Sequence, residues 1–117
     1  MIDDVNGSDE VSTVRTRRLP DAIVLTVTGE VDMMTAPRLE NTVRDSLAER
    51  PARLVIDLTS AQFFSSAGIA ILVLAHRNDV GVALRVVAKD RIVLRPLELT
   101  GLAEDLAIYP DLESALA

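Results

Sequence analysis

The distribution of apolar and polar residues divides the chain into short strand-like segments and longer amphipathic ones. In the strand-like segments, branched apolar residues either alternate with polar ones or run almost without interruption, as in a strand covered on both faces. Pro20 and Asp21, between the first two segments, form a turn signal that predicts a hairpin. The predicted strands are residues 11–19, 22–29, 53–58, 82–88 and 106–109.

The segments between and after these strands predict helices. Thr35 is positioned to cap the first, and Pro37 falls in its first turn, where a proline loses no intrahelical hydrogen bond. In the third helix, Pro96 must either kink the helix or lie in the first turn of a shorter one, and Gly101 ends it. The predicted helices are residues 36–50, 66–77, 90–100 and 110–117. Because strand–helix–strand order implies parallel crossovers, the predicted fold is an α/β sheet of about five strands with helices between them.

Composition limits the class of protein. A chain of 117 residues forms one domain, and with an apolar fraction of 49% but only 3% aromatic residues its core must consist of Val, Leu, Ile and Ala. The absence of cysteine excludes disulfides, thiolate metal sites and a cysteine nucleophile. The longest apolar run, residues 67–75, is about half the length that spans a bilayer, so we expect a soluble, cytoplasmic domain at residues 11–117. Residues 1–10, rich in acids, are expected to form a flexible tail.

The charge balance argues against a nucleic-acid partner. The net charge is −6, whereas binding to a phosphate backbone depends on clustered Lys and Arg. The one basic cluster, at Arg15, Arg17 and Arg18, is interpreted as the solvated edge of an outer strand.

Catalytic or metal-binding groups are scarce. His76 is the one histidine and falls near the end of a predicted helix, where an imidazole interacts favourably with the helix dipole, so a structural role is favoured. Asp57 is predicted to end a central strand, and it either serves a site there or caps a turn with Thr59 and Ser60. The glycines stand too far apart to form a phosphate loop. The sequence therefore predicts neither an enzyme nor a cofactor or metal site.

The stretch "FFSSAGIA", residues 63–70, has two interpretations. Ser65 can cap the helix that follows by accepting from its free amide groups, and this alone would explain a serine there. A helix N-terminus also tolerates a phosphate locally, while the added charge repels a partner, so a serine here would suit a charge switch on a binding surface.

Two motifs at the expected separation resemble the STAS domain of bacterial anti-sigma factor antagonists. The first is "VTGEVDMMTAPRLE" (27–40), where the family has a strand ending in Gly-Glu-Leu-Asp. The second is "VIDLTSAQFFSSAGIAIL" (55–72), where the family has Asp-Leu-Ser and then Phe-apolar-Asp-Ser-Ser-Gly-Leu. The closing "LELTGLAEDLAIYPDLESAL" also resembles the end of the family, so the resemblance extends over nearly the whole chain from about Val11.

The resemblance implies a mixed sheet of four to five strands with about four helices packed on one side, and no catalytic activity. It implies binding to an anti-sigma factor with a histidine-kinase-like ATP fold, which frees the sigma factor. In many members that partner phosphorylates the serine before the motif glycine, and a phosphatase reverses the reaction. The expected protein is a monomer or weak dimer without a membrane or nucleic-acid partner.

The resemblance also implies a contact surface. Asp32 matches an aspartate that lies beside the helix start and contributes to the partner surface, with Glu30 and Met33 flanking it. The other expected contacts are the helix start itself: Ser65, Ser66, Ala67, Gly68 and Ile69. Asp57 matches a strand-end aspartate with a structural role.

The motif departs from the family at its regulated position. Gly68 matches the motif glycine, so the usual phosphoacceptor falls on Ala67, which has no hydroxyl. Ser66 and, less favoured, Ser65 remain as candidate phosphorylation positions. We therefore expect the usual phosphorylation switch to be absent, leaving an antagonist that is constitutive or controlled in another way.

Two other classes of function are weighed against this one. STAS domains also occur as structural subunits of lipid-transporter complexes and signalling assemblies, and the changed motif gives that alternative some support. An enzyme acting through Asp57 or Ser66 is disfavoured because neither residue has an identifiable base.

Overall fold

The computed structural model describes residues 12–117, and all predicted strands and helices that fall within them are present. The tail predicted at residues 1–10 lies outside the described residues. The strands are β1 (Ser12–Arg18), β2 (Ala22–Val31), β3 (Arg53–Phe64), β4 (Ala83–Val87) and β5 (Ala107–Tyr109). The α-helices are α1 (Ala36–Ala48), α2 (Ser66–His76), α3 (Arg91–Leu99) and α4 (Leu112–Leu116), and a 3₁₀ turn at Leu102–Glu104 precedes β5.

The strands lie in the sheet in chain order, β1-β2-β3-β4-β5. The predicted hairpin is confirmed, because β1 runs antiparallel to β2 and the Leu19 N–H donates to the Ala22 carbonyl across the turn (2.7 Å). The β2–β3, β3–β4 and β4–β5 pairs are all parallel, as the strand–helix–strand order predicts. The carboxyl ends of β2 and β3 therefore lie at the same edge of the sheet.

Alternate residues of the strands supply two separate apolar clusters, one on each face of the sheet. The larger cluster contains Ile23, Leu25 and Ile56 and is covered by α1, α2 and α3. The smaller contains Val24, Val55 and Val87 together with Ala115 of α4. The predicted α/β fold with a mixed sheet is confirmed, with one difference: the short last helix packs on the opposite face from the other three.

Hydrogen bonds at both ends hold α4 on that second face. Asp111 caps it by accepting from the hydroxyl (2.6 Å) and the N–H (2.8 Å) of Ser114, and these bonds lower the pKa of its carboxyl. At the other end, Arg53 and Arg85 donate to main-chain oxygens of residues 115–117. Two cations at the carbonyl end complement the helix dipole and position a helix of only five residues.

Strand β3 is six residues longer than the predicted strand 53–58, because residues 59–64, including the possible turn at Thr59 and Ser60, continue it. Its register against β2 shifts twice, so that two extra residues are accommodated on β3. As a result Leu58, Ala61 and Phe64 are buried with a spacing of three, which masks the usual alternation of a strand. Asp57 consequently lies inside β3 and not at its end, where its carboxylate accepts from the N–H (3.0 Å) and hydroxyl (2.8 Å) of Thr59.

The third helix decides between the two alternatives for Pro96 and has its predicted end. Pro96 lies in the interior of α3 and not in its first turn, so the shorter-helix alternative is wrong. Gly101 ends the helix as predicted: its φ of 82° is in the left-handed region that favours glycine, and its N–H donates to the Glu98 carbonyl (3.1 Å).

Contact with Phe64 at the end of β3 fixes the position of α2. Gly68 is buried in the first turn of α2, and a Cβ on it would lie 2.7 Å from the Phe64 ring, closer than two carbon atoms can approach. Phe64 itself is only 3% exposed, so the ring has little space into which it could move. The glycine therefore lets the start of α2 lie directly on this aromatic side chain.

We predict that Gly68→Ala lowers the free energy of unfolding by about 1–3 kcal/mol, because the added methyl overpacks the contact with Phe64. Urea unfolding measures this. Phe64→Leu, which removes the ring, should reduce the cost of Gly68→Ala when the two changes are combined. An equally stable or more stable Gly68→Ala protein would show that helix propensity outweighs the contact.

Candidate partner-binding surface

The two segments expected to contact a partner emerge side by side from the sheet. At the ends of β2 and β3, Glu30 pairs with Phe63 and Val31 with Phe64. The pairing continues one residue further, where the Ser65 N–H donates to the Val31 carbonyl (2.9 Å). We call Glu30, Asp32, Met33 and residues 65–69 the helix-start surface.

A reciprocal pair of hydrogen bonds shapes the turn between β2 and α1. The Asp32 carboxylate accepts from the N–H groups of Met34 (2.9 Å) and Thr35 (3.1 Å), while the Thr35 hydroxyl accepts from the Asp32 N–H (2.9 Å). The Thr35 hydroxyl also donates to the Glu30 carbonyl (2.7 Å). The spacing of three between the two side chains is that of a capping box, with Asp32 in the capping role.

This corrects the prediction that Thr35 caps α1 with its side chain. Thr35 does occupy the residue before the helix, but its hydroxyl makes no hydrogen bond to the helix amides. The Asp32 carboxylate caps the turn that precedes α1, because the N–H groups from which it accepts belong to Met34 and Thr35. The sequence signal for this arrangement is the pair Asp32 and Thr35, three residues apart.

The turn displays two methionines. Met33 is 81% exposed and Met34 is 86% exposed, although they lie only two and three residues after the buried Val31. Methionine is flexible and polarizable, and it suits a surface that must adapt to a partner. The contact surface expected from the sequence includes Met33 but not Met34, which is equally exposed.

The start of α2 combines a cap, an exposed hydroxyl and a buried glycine. Ser65 is the N-cap, as predicted, and its hydroxyl accepts from the Ala67 N–H (3.2 Å). Ser66 is exposed at the first helical position, whereas Ala67 and Ile69 are half-buried and Gly68 is buried. The one readily accessible hydroxyl of the motif is therefore that of Ser66, and Gly68 acts by positioning the helix on Phe64.

A shallow groove of about 280 Å³ continues from this surface between α1 and α2. Met33 and Ala67 of the helix-start surface form part of its lining, so the groove and that surface are continuous. The residues Pro37 and Glu40 of α1 and Ala70 and Leu74 of α2 extend the lining. Glu40 is the single charged group among these, and its carboxylate is 3.0 Å from the Arg44 guanidinium.

The other two residues considered for chemistry are not part of this surface. His76 is exposed at the last position of α2, where the dipole favours a basic group, as predicted. Asp57 lines a separate polar cavity of about 390 Å³ with Lys89, Asp90 and Asp111. Among residues 12–117, no group of three or more His, Cys, Asp or Glu side chains is arranged to hold a metal ion.

Comparison with known proteins places the chain in a family. The STAS domain model matches residues 13–115. The chain is 36% identical over 95 residues to the anti-sigma-F factor antagonist RsfB of Mycobacterium tuberculosis, which covers 80% of this chain and 77% of that protein. It is 30% identical over 102 residues to RsfA of the same organism, an anti-sigma-F factor antagonist too, which covers 82% of this chain and 78% of that protein.

A solved structure gives the same result. The crystal structure of an anti-sigma factor antagonist from Mycobacterium paratuberculosis superposes with a TM-score of 0.84, at 36% identity over 90% of this chain and 91% of that one. The family model, the two mycobacterial relatives and this structure agree with the two motifs found in the sequence. The chain therefore belongs to the STAS domain family.

Proposed function

We propose that this chain is an anti-sigma factor antagonist, which binds an anti-sigma factor through the helix-start surface and so releases the sigma factor that the inhibitor held. The observation that carries the proposal is the junction of the β2 and β3 ends, since the turn with exposed Met33 and the helix start with exposed Ser66 emerge there from adjacent strands. The relatives at 36% and 30% identity are named as antagonists of an anti-sigma factor, which favours this function over that of a structural subunit.

The chemistry of the surface suits binding and not catalysis. Its exposed groups are the Met33 thioether, the Ser66 hydroxyl and the Glu30 carboxylate. The half-buried Ser65 hydroxyl and one oxygen of the half-buried Asp32 are already used in capping. The small side chains at positions 65–67 let a partner backbone approach closely. We propose a partner with a histidine-kinase-like ATP fold, as the family resemblance implies.

The proposed function includes the loss of the usual switch. At position 67 the side chain is a half-buried methyl group, so a kinase finds no hydroxyl there. A kinase partner would then leave this antagonist active, and no phosphatase would be needed to restore it. Control would pass to the amount of the protein or to another signal.

The place of action follows from the proposed partner. None of the helices within residues 12–117 is long and apolar enough to cross a membrane. Because anti-sigma factors act on transcription, we propose that the chain works in the cytoplasm.

Displacement of a sigma factor tests the function. The purified chain, added to each purified anti-sigma–sigma complex of the source organism, should release sigma from at least one of them, as followed by size-exclusion chromatography. Met33→Glu should abolish release because it places a charge at the contact. The matched control is Leu99→Glu, which changes a 71% exposed apolar residue of α3. If no complex releases sigma the function is wrong, and if both variants remain active the surface is wrong.

Restoring a serine at position 67 tests whether the usual phosphorylation switch is absent. With the anti-sigma factor as kinase and ATP, the wild-type chain should stay unmodified, while Ala67→Ser should gain one phosphate at position 67. Mass spectrometry of the intact protein and its peptides measures both, and Ser66→Ala is the control. Stoichiometric phosphate on Ser65 or Ser66 of the wild type would contradict the prediction.

Two substitutions at Asp32 separate its role in stabilising the turn from the role of its negative charge in binding. Asp32→Ala should lower the free energy of unfolding by about 1 kcal/mol because the turn loses its cap. Asp32→Asn keeps the acceptor oxygen, so its stability should stay close to that of the wild type while binding to the anti-sigma factor weakens. Urea unfolding and titration calorimetry measure the two effects. Unchanged binding by Asp32→Asn would limit Asp32 to shaping the turn.

A further inference from the structure

The groove between α1 and α2 is an apolar recess beside the helix-start surface. Methyl, methylene and thioether groups of Met33, Pro37, Ala70 and Leu74 line it, and Ile71 lies at its base, 3% exposed. Ala70 is exposed at its rim although it lies in the middle of α2. A small residue at that point keeps the recess open, since any longer side chain there would reach into it.

The volume of the recess limits what it can hold. About 280 Å³ accommodates one large apolar side chain and not a whole helix. Burial of one such side chain is a favourable step in association, since it removes apolar surface of both partners from water. A single filled pocket of this kind is typical of the few residues that dominate the affinity of an interface.

Charges around the recess indicate the chemistry beside that side chain. On the Met33 side, Glu30 is exposed and Asp32 is half-buried, so this edge is acidic. On the opposite edge Glu40 is already paired with Arg44, and α2 carries no charged residue between positions 66 and 75. The chain as a whole has a net charge of −6. A partner segment of complementary charge would therefore place an apolar side chain in the recess and a basic side chain near Glu30.

We infer that the α1–α2 groove receives one large apolar side chain from a segment of the anti-sigma factor that carries a Lys or Arg beside it. The inference rests on the proposed function and names a second contact for the same partner, outside the residues expected from the sequence. Continuity through Met33 and Ala67 lets one partner segment lie on both regions. Under this arrangement Ala70 and Leu74 determine which anti-sigma factor binds tightly.

Filling the groove tests the inference. Ala70→Gln adds bulk without charge, and Ala70→Arg adds bulk and a positive charge. Both should weaken binding by about tenfold or more, as measured by titration calorimetry against the anti-sigma factor from which the wild-type chain releases sigma. Ala48→Gln and Ala48→Arg, at an exposed alanine at the far end of α1, are matched controls that should bind like the wild type. Urea unfolding should show that all four variants are folded.

Each outcome decides the inference. If Ala70→Gln binds the anti-sigma factor as tightly as the wild type does, the groove contact is wrong and the proposed function remains intact. If only Ala70→Arg loses binding, the cause is charge repulsion and not a side chain that occupies the groove, and the inference is overturned. If the wild-type chain binds no anti-sigma factor, the function and the inference both fail. If sedimentation shows a wild-type dimer that Ala70→Gln dissociates while binding to the anti-sigma factor is unchanged, the occupant is a second copy of this chain and the inference is wrong.

Discussion

The parallel pairing of β2 with β3 continues past the strand ends through the hydrogen bond from the Ser65 N–H to the Val31 carbonyl, and it determines where the proposed binding surface lies. It joins two segments more than thirty residues apart in the chain and sets Asp32 beside the first residues of α2. Phe64 then supports α2 through its contact with Gly68. A change in register of one residue would turn Phe64 away from the core and separate the two halves of the surface.

The two faces of this sheet hold the apolar clusters, and one edge carries the surface that we propose for recognition. The face covered by α1, α2 and α3 holds the main core. On the other face, Asp111 caps the start of α4, and Arg53 and Arg85 donate to main-chain oxygens at its end. The carboxyl edge of β2 and β3 carries exposed methionines and a capped helix start. Because the capping groups are satisfied within the chain, the surface is formed before any partner binds, and binding need not first order it.

Much of the fold follows from local signals, and what the sequence could not predict depends on contacts between distant residues. Alternation and capping patterns predict the hairpin, the order of elements and Ser65 as the cap of α2. The second half of β3 escaped prediction because two register shifts give Leu58, Ala61 and Phe64 a spacing of three. The face on which α4 packs depends on arginines far away in the chain, and the groove exists only because α1 and α2 lie side by side.

The central claim is that a partner binds at the carboxyl edge of β2 and β3. The most direct measurement is the change in backbone amide chemical shifts when the isotopically labelled chain is titrated with the anti-sigma factor. We expect the largest changes at residues 30–34 and 65–74, with α4 and β1 little affected. Changes concentrated on α4 and the sheet face beneath it, with residues 30–34 and 65–74 undisturbed, would contradict it.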